Sequence, residues 1–291
     1  MQALAAVTSR LKILGRMNVA EKRKPQDGRI KTKSPNGEEV ELRLSTLPTA
    51  FGEKLVMRIF DPGVLLKPFE ELGLINEDLE RWKKIVAKNH GIVIITGPTG
   101  SGKTTTLYST LKMLATDEVN VCTIEDPIEM VEEKFNQMQV QDNIELDFDD
   151  GVKALLRQDP DIIMIGEVRD LATAEMAIQA ALTGHLVFTT LHTNDAPSAI
   201  TRLMELGVPP YLIKATVIGI VAQRLIRVLC PDCKKATKEE QDTWNSLTLP
   251  WKVKLPKVVA YSEGCLECRE TGFRGREGIY EVMLFSDKLQ E

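Results

Sequence analysis

No run of apolar residues in this chain approaches the roughly 20 needed to span a bilayer, and the N-terminus lacks the long apolar core of a secretory signal. A cytoplasmic protein is therefore expected, with no direct membrane insertion and any membrane contact made through a partner. A strong excess of charge is missing as well. Against 42 Asp and Glu stand 37 Lys and Arg, a formal −5, so the chain lacks the general basic footprint of a nucleic-acid binder, and nucleic acid is not an expected partner. Internal repeats and low-complexity tracts are absent too. What remains is an ordinary globular composition, 27% charged and 43% hydrophobic in 291 residues, enough for two domains plus an appendage.

Residues 97–104 read GPTGSGKT and follow directly on Ile92-Val93-Ile94-Ile95; the next ten residues carry apolar positions at helical spacing. Buried strand, glycine-rich turn and helix in that order make a phosphate-binding loop. Gly97, Pro98, Thr99, Gly100, Ser101, Gly102, Lys103, Thr104 and Thr105 are the expected nucleotide-binding residues. Backbone N–H groups and the helix N-terminus face the phosphate oxygens, Lys103 reaches the β- and γ-phosphates, and the Thr104 hydroxyl is suited to Mg²⁺.

Around this loop short apolar runs at 119–124, 162–165 and 186–190 alternate with helical patterns at 76–88, 148–156 and 171–182. Such alternation predicts an α/β fold with a mostly parallel, doubly wound sheet. Before it come a helical pattern over 2–20, a hairpin over 29–44 turning at 34–37, and an alternating strand over 53–60, together a small α+β domain. The expected organisation is an N-terminal domain over 1–62, a linker over 63–75, a nucleotide-binding domain over 76–227, a cysteine-bearing module over 228–275 and a further C-terminal segment from 276 to 291.

Hydrolysis of a bound nucleotide needs a group to activate water and others to stabilise charge on the phosphoryl. Thr123-Ile124-Glu125-Asp126-Pro127-Ile128-Glu129 places three carboxylates at the end of a predicted strand, on the same edge as the phosphate loop. Ile162-Ile163-Met164-Ile165-Gly166-Glu167 is a second apolar run ending in an acid, with Gly166 where a metal-holding Asp usually stands. Spacing leaves open whether Glu129 or Glu167 is the base. His192 lies at the C-terminal end of the 186–190 strand, where a γ-phosphate sensor would sit; His185, at its other end, is as readily structural. Arg43, Arg58, Arg157 and Arg169 are candidate phosphate clamps, each with an alternative as a surface or strand-edge arginine.

Four of the five cysteines form two pairs, Cys230-Pro-Asp-Cys233 and Cys265-Leu-Glu-Cys268. Paired CxxC spacing predicts a structural Zn²⁺ held by all four thiolates rather than disulfides. The fifth, Cys122, reads as a buried core residue.

Read together, GPTGSGKTTTLY, TIEDPIE, LLRQDPDIIMIGEVRD, TGHLVFTTLHTNDA and the two cysteine pairs resemble the secretion ATPase superfamily. They are most similar to its type II secretion and type IV pilus assembly ATPases, the GspE/PilB group. PQDGRI and LRLSTLPTAFGEKLVMRI are similar to that group's second N-terminal domain. The resemblance implies a RecA-like P-loop NTPase domain beside a PAS-like N-terminal domain and a Cys₄ module. It also implies a homo-hexameric Mg-ATPase using ATP, Mg²⁺ and Zn²⁺, peripheral at the inner membrane through a platform protein of a pilus or secretion machine. On this likeness Glu129, Glu167 and His192 are catalytic or metal-water residues, Arg43 and Arg58 turn toward the γ-phosphate, and Arg157 and Arg169 are further phosphate or interface arginines. The likeness also implies another domain before this chain and helices beyond GIYEV at 278–282. Retraction or DNA-transfer motors of the same superfamily, and a nucleotide-gated scaffold with little turnover, remain as alternatives.

Overall fold

The expected strands and helices are borne out in the computed structural model, which describes residues 2–33, 37, 39–60, 68–141, 144–237, 241–251, 253–254 and 256–285. Two units divide between Lys67 and Pro68, and each is described by itself. The first has a helix, α1 (Gln2–Leu14), and an antiparallel sheet in the order β1 (Gln26–Lys33), β2 (Glu39–Thr49), β3 (Gly52–Phe60). The helix ends six residues before the apolar pattern does. At Gly15 a Cβ would lie 2.9 Å from Leu44 Cδ1, and Arg16 takes φ +56°, so the chain turns there and buries Met17 against the sheet. Lys12 is buried beneath the helix, ion-paired with Glu53 and donating to the Glu21 carbonyl at 2.8 Å, which answers the cost of enclosing its charge. The expected hairpin turn at 34–36 and the linker stretch 61–67 lie outside the described residues.

The second unit opens with α2 (Phe69–Leu72) and α3 (Asn76–Val86), followed by β4 (Gly91–Thr96), α4 (Lys103–Leu114), β5 (Val121–Glu125), β6 (Phe135–Gln139) and α5 (Phe148–Leu155). The chain continues through β7 (Ile162–Ile165), α6 (Leu171–Leu182), β8 (Leu186–Leu191), α7 (Ala196–Glu205), α8 (Pro210–Thr216) and β9 (Val217–Leu229). It ends with β10 (Lys234–Thr237), α9 (Gln241–Thr248), β11 (Val259–Ser262) and β12 (Phe273–Leu284). Seven strands form the main sheet, in the order β12-β9-β4-β8-β7-β5-β6; all are parallel except β12.

Side chains alternate across β4. Ile92 and Ile94 enter a core shared with α5, α6, α7 and α8, whereas Val93 and Ile95 enter one shared with α3 and α4. Both faces are thus covered, and the central strands read as unbroken apolar runs for that reason.

Residues 276–284, read as the start of a C-terminal segment, lie in β12, which pairs with β9 from Leu229 back to Gly219. The cysteine-bearing stretch is consequently an insertion at the far end of a β9–β12 ribbon, with β10 and β11 as its own two-stranded sheet.

Candidate active site

Between Thr96 and α4 the chain must turn over the end of β4 while pressed against β9. Gly97, at φ +147°, permits this: a Cβ there would stand 2.3 Å from the Gln223 carbonyl oxygen and 2.7 Å from Ser101 Oγ. Gly102, at φ +89°, precedes α4 and offers no capping side chain, so the first amides of the helix are left to an anion. Lys103 Nζ donates to the carbonyls of Gly97 at 2.8 Å and Pro98 at 3.3 Å. Burial lowers the pKa of that ammonium, with the negative charge of Glu167 acting in the opposite direction.

Because β4, β8, β7 and β5 are successive parallel neighbours, the segments following them leave one edge of the sheet. At about 4.8 Å per strand, His192 sits one step from the phosphate loop, Glu167 two steps and the 126–129 segment three. Side-chain contacts link most of them. Lys103 Nζ is 3.5 Å from His192 Nδ1, and His192 Nε2 is 3.3 Å from Glu167 Oε2. An ammonium cannot accept, so Nδ1 accepts and Nε2–H faces the carboxylate. Glu167 also pairs with Arg169, whose guanidinium reaches Asp126 at 3.4 Å and lies 5.9 Å over the Phe148 ring.

Gly166 is stitched between strands by its N–H to the Ile124 carbonyl at 2.8 Å and by Thr190 Oγ1 to its own carbonyl at 2.7 Å. A Cβ at that position would lie tightly against Ile124 O at 3.3 Å and in ordinary contact with the Phe148 ring at 3.4 Å, so a side chain there needs a small shift of its neighbours. Glu129 occupies a loop tethered on either side of it. The Ile128 N–H donates to Gln139 Oε1 at 3.3 Å, and the Met130 carbonyl accepts from Gln137 Nε2 at 2.9 Å.

Two candidates lie elsewhere. Arg157 is exposed just ahead of β7, at the opposite edge of the sheet. His185, at the start of β8, donates through Nδ1 to the Ala180 carbonyl at 2.9 Å and closes the end of α6. In the first unit Arg43 and Arg58 stand directly opposite each other on β2 and β3, and Arg29 stands opposite Arg43 on β1. Three arginines in one cross-strand row repel, with Glu41 at 3.4 Å from Arg43 and 3.9 Å from Arg29. Arg29 was not among the candidates: a turn at 34–37 would set it opposite Leu42, and the observed register, one residue further on, sets it opposite Arg43.

Burial favours the neutral form of Glu167, yet the hydrogen bond and charge of Arg169, aided by His192, outweigh it and hold the carboxyl below the usual carboxylate range. The anion therefore persists to lower pH than that of an ordinary Glu. Replacing Arg169 with Ala is expected to raise the Glu167 pKa, read as an upward move of the pH at which its carboxyl carbon signal titrates by NMR. A titration that stays in place would show that Arg169 does not set the charge of Glu167.

The four paired cysteines converge at the end of the β9–β12 ribbon. Sγ separations are 3.9 Å for Cys230–Cys265, 3.8 Å for Cys233–Cys268 and 3.7 Å for Cys265–Cys268. These are far too long for disulfides. A tetrahedral ion with metal–sulfur bonds of about 2.3 Å requires sulfurs roughly 3.8 Å apart, so the donor set has the dimensions of such a site.

The family model described as "Type II/IV secretion system protein" matches residues 1–291. The chain belongs to this family. It is 62% identical over 288 residues to the type IV pilus assembly ATPase TfpB of Acinetobacter baylyi, covering 99% of this chain and 49% of that protein. To the type II secretion system ATPase E of Vibrio cholerae it is 45% identical, covering 98% of this chain and 56% of that one. This family member thus spans about half the length of the curated relatives it matches. Among solved structures it is similar to the pilus retraction motor PilT with bound ADP, at TM-score 0.65 and 28% identity, covering 92% of this chain and 66% of that one. The Legionella pneumophila ATPase DotB matches its fold at TM-score 0.65 and 24% identity, over 92% of this chain and 64% of the other. The mixed α/β sheet and these likenesses fit a RecA-like P-loop ATPase. Among the described residues of this family member, no helix is long and apolar enough to cross a membrane.

Proposed function

We propose that the protein carrying this chain hydrolyses ATP with Mg²⁺ to drive assembly of a type IV pilus or a type II secretion pseudopilus, as a cytoplasmic homo-hexamer docked on an inner-membrane platform protein. The observation that carries the reading is the contact line Lys103–His192–Glu167–Arg169 along the edge from which the phosphate loop emerges. In this reading the loop amides and Lys103 bind the phosphates, and Thr104 would hold Mg²⁺. The ion, when bound, neutralises charge on the phosphate oxygens. Glu167, kept ionised by Arg169 and His192, accepts the proton of the attacking water, and His192 connects that carboxylate to Lys103.

The first unit is read as the family's second, PAS-like N-terminal domain. Its row Arg29, Arg43 and Arg58 is a concentrated positive charge that an incoming γ-phosphate would relieve. Arg157, on the far edge, has a role in this scheme only toward a neighbouring subunit. Zn²⁺ is assigned to Cys230, Cys233, Cys265 and Cys268, whose sulfur spacing suits it. The relatives at 62% and 45% identity carry pilus assembly and type II secretion names, and with the cysteine cluster they favour assembly or secretion over retraction.

The test is phosphate release by a sedimentation-verified hexamer of the whole protein. Wild type should exceed Glu167→Gln by at least ~10²-fold while both bind ATP. A wild type no faster than this variant would overturn the motor reading and leave the nucleotide-gated scaffold.

A further inference from the structure

Glu125, in the 123–129 segment, stands apart from the contact line. Glu125 is 4% exposed at the end of β5, and no ion pair reaches it among the described residues. Neutral donors surround it instead. Oε2 accepts from the Tyr108 hydroxyl at 2.5 Å, while Oε1 accepts from Thr123 Oγ1 at 2.7 Å and Gln137 Nε2 at 3.1 Å. These donors come from α4 and from two neighbouring strands of the sheet it covers, β5 and β6. Such a group is enclosed, oriented on both oxygens and out of reach of solvent or substrate.

What it touches gives it a purpose. Tyr108 stands four residues after Thr104 on α4, so the two share one helix face, with the phosphate end one turn away. The Tyr108 hydroxyl and Gln137 Nε2 also lie 3.0 and 2.9 Å from the Met130 carbonyl, the residue next to Glu129. A single buried knot therefore joins the helix that carries Lys103 and Thr104 to both ends of the loop that carries Asp126 and Glu129.

We infer that Glu125 is a positioning residue which, through Tyr108 and Gln137, fixes the 126–130 loop at a set distance from the phosphate-loop helix. Its part is geometric, so Gln can replace it: its carbonyl accepts from Thr123 Oγ1 and Gln137 Nε2, while its amide donates to the Tyr108 hydroxyl, whose own proton then goes to the Met130 carbonyl. A metal-binding or proton-accepting carboxylate could not be replaced in this way. The consequence for hydrolysis rests on the ATPase reading above, whereas the consequence for loop order does not.

The whole protein is compared with its Tyr108→Phe, Glu125→Gln and Glu125→Ala variants. Amide hydrogen exchange without nucleotide should quicken at least tenfold over residues 126–132 in Tyr108→Phe, with 103–114 unchanged. Hydrolysis by Tyr108→Phe and Glu125→Ala should lose about tenfold in kcat with KM for ATP within twofold, and Glu125→Gln should stay within threefold of wild type. Unaltered exchange over 126–132 in Tyr108→Phe overturns the inference whether or not the protein turns over. Glu125→Gln as inactive as a folded Glu125→Ala overturns it in favour of a charged role. A wild type no faster than Lys103→Ala defeats the ATPase reading and leaves the exchange result to decide the positioning role.

Discussion

Lys103→Ala is expected to reduce ATP hydrolysis by at least ~10²-fold, the scale on which loss of one preorganised charge donor at a transferring phosphoryl acts. In the structure its ammonium is already turned back over the loop, held by the carbonyls of Gly97 and Pro98 at 2.8 and 3.3 Å. Burial opposes its charge, so exchanging those dipoles for phosphate oxygens is favourable, and the residue is prepared for an anion. Removing it also leaves His192 with only its contact to Glu167 in the line along the sheet edge. ATP binding should weaken less than turnover, because the loop amides and the N-terminus of α4 remain. Phosphate release and equilibrium binding of a fluorescent ATP analogue check both parts. Wild-type turnover in Lys103→Ala would refute the assignment.

On the zinc assignment proposed for the four cysteines, stripping the metal is expected to unfold the insertion between β9 and β12 while leaving the main sheet intact. Its described side chains build little apolar core: Leu247, Leu249, Trp251 and Leu266 are 71–87% exposed, while Cys230 and Cys268 are the buried members of the cluster. The sulfur cluster is its core, so an ion held there would supply much of the folding energy. Within that cluster burial pushes the Cys230 thiol up to about 12. Burial also works against the Cys268 thiolate, but the amides of Cys265 and Gly272, at 3.1 and 3.2 Å, pull it down to about 6. Cys268 is thus prepared as a thiolate, whereas Cys230 would have to lose its proton to a bound ion, so acid should compete with the metal and retention should fall as pH drops. Elemental analysis should give one zinc per chain, lost on chelation or in Cys265→Ser. Fluorescence of Trp244 and Trp251, two of the three tryptophans, should change with that loss, and protease should cut within 231–272. A zinc content near zero in the native protein would remove the assignment.

Much of the second unit was legible because its signals are local. The apolar runs at 162–165 and 186–190 became β7 and β8, and the periodicity over 171–182 became α6 with the same limits. Where a local signal met a tertiary constraint the constraint prevailed, as when α1 stopped at Leu14 because Gly15 must approach Leu44. The role of β9 escaped notice for a related reason. Gln223 and the Gly97 turn are 126 positions apart, and only strand order makes β9 the floor of the phosphate loop. The carboxylates were found as a group, yet nothing in TIEDPIE separates the enclosed Glu125 from the Asp126 that meets Arg169.

Sequence alone determined the groups whose chemistry is set within a few residues: a glycine-rich turn ahead of a helix N-terminus, and thiols spaced to share one ion. Those follow from backbone torsion and short-range reach. The crossing order β4-β8-β7-β5 decided the rest, bringing His192 and Glu167 to Lys103, sending Arg157 to the far edge and burying Glu125 under Tyr108. Such partnerships arise from packing between distant segments, and no spacing along the chain encodes them.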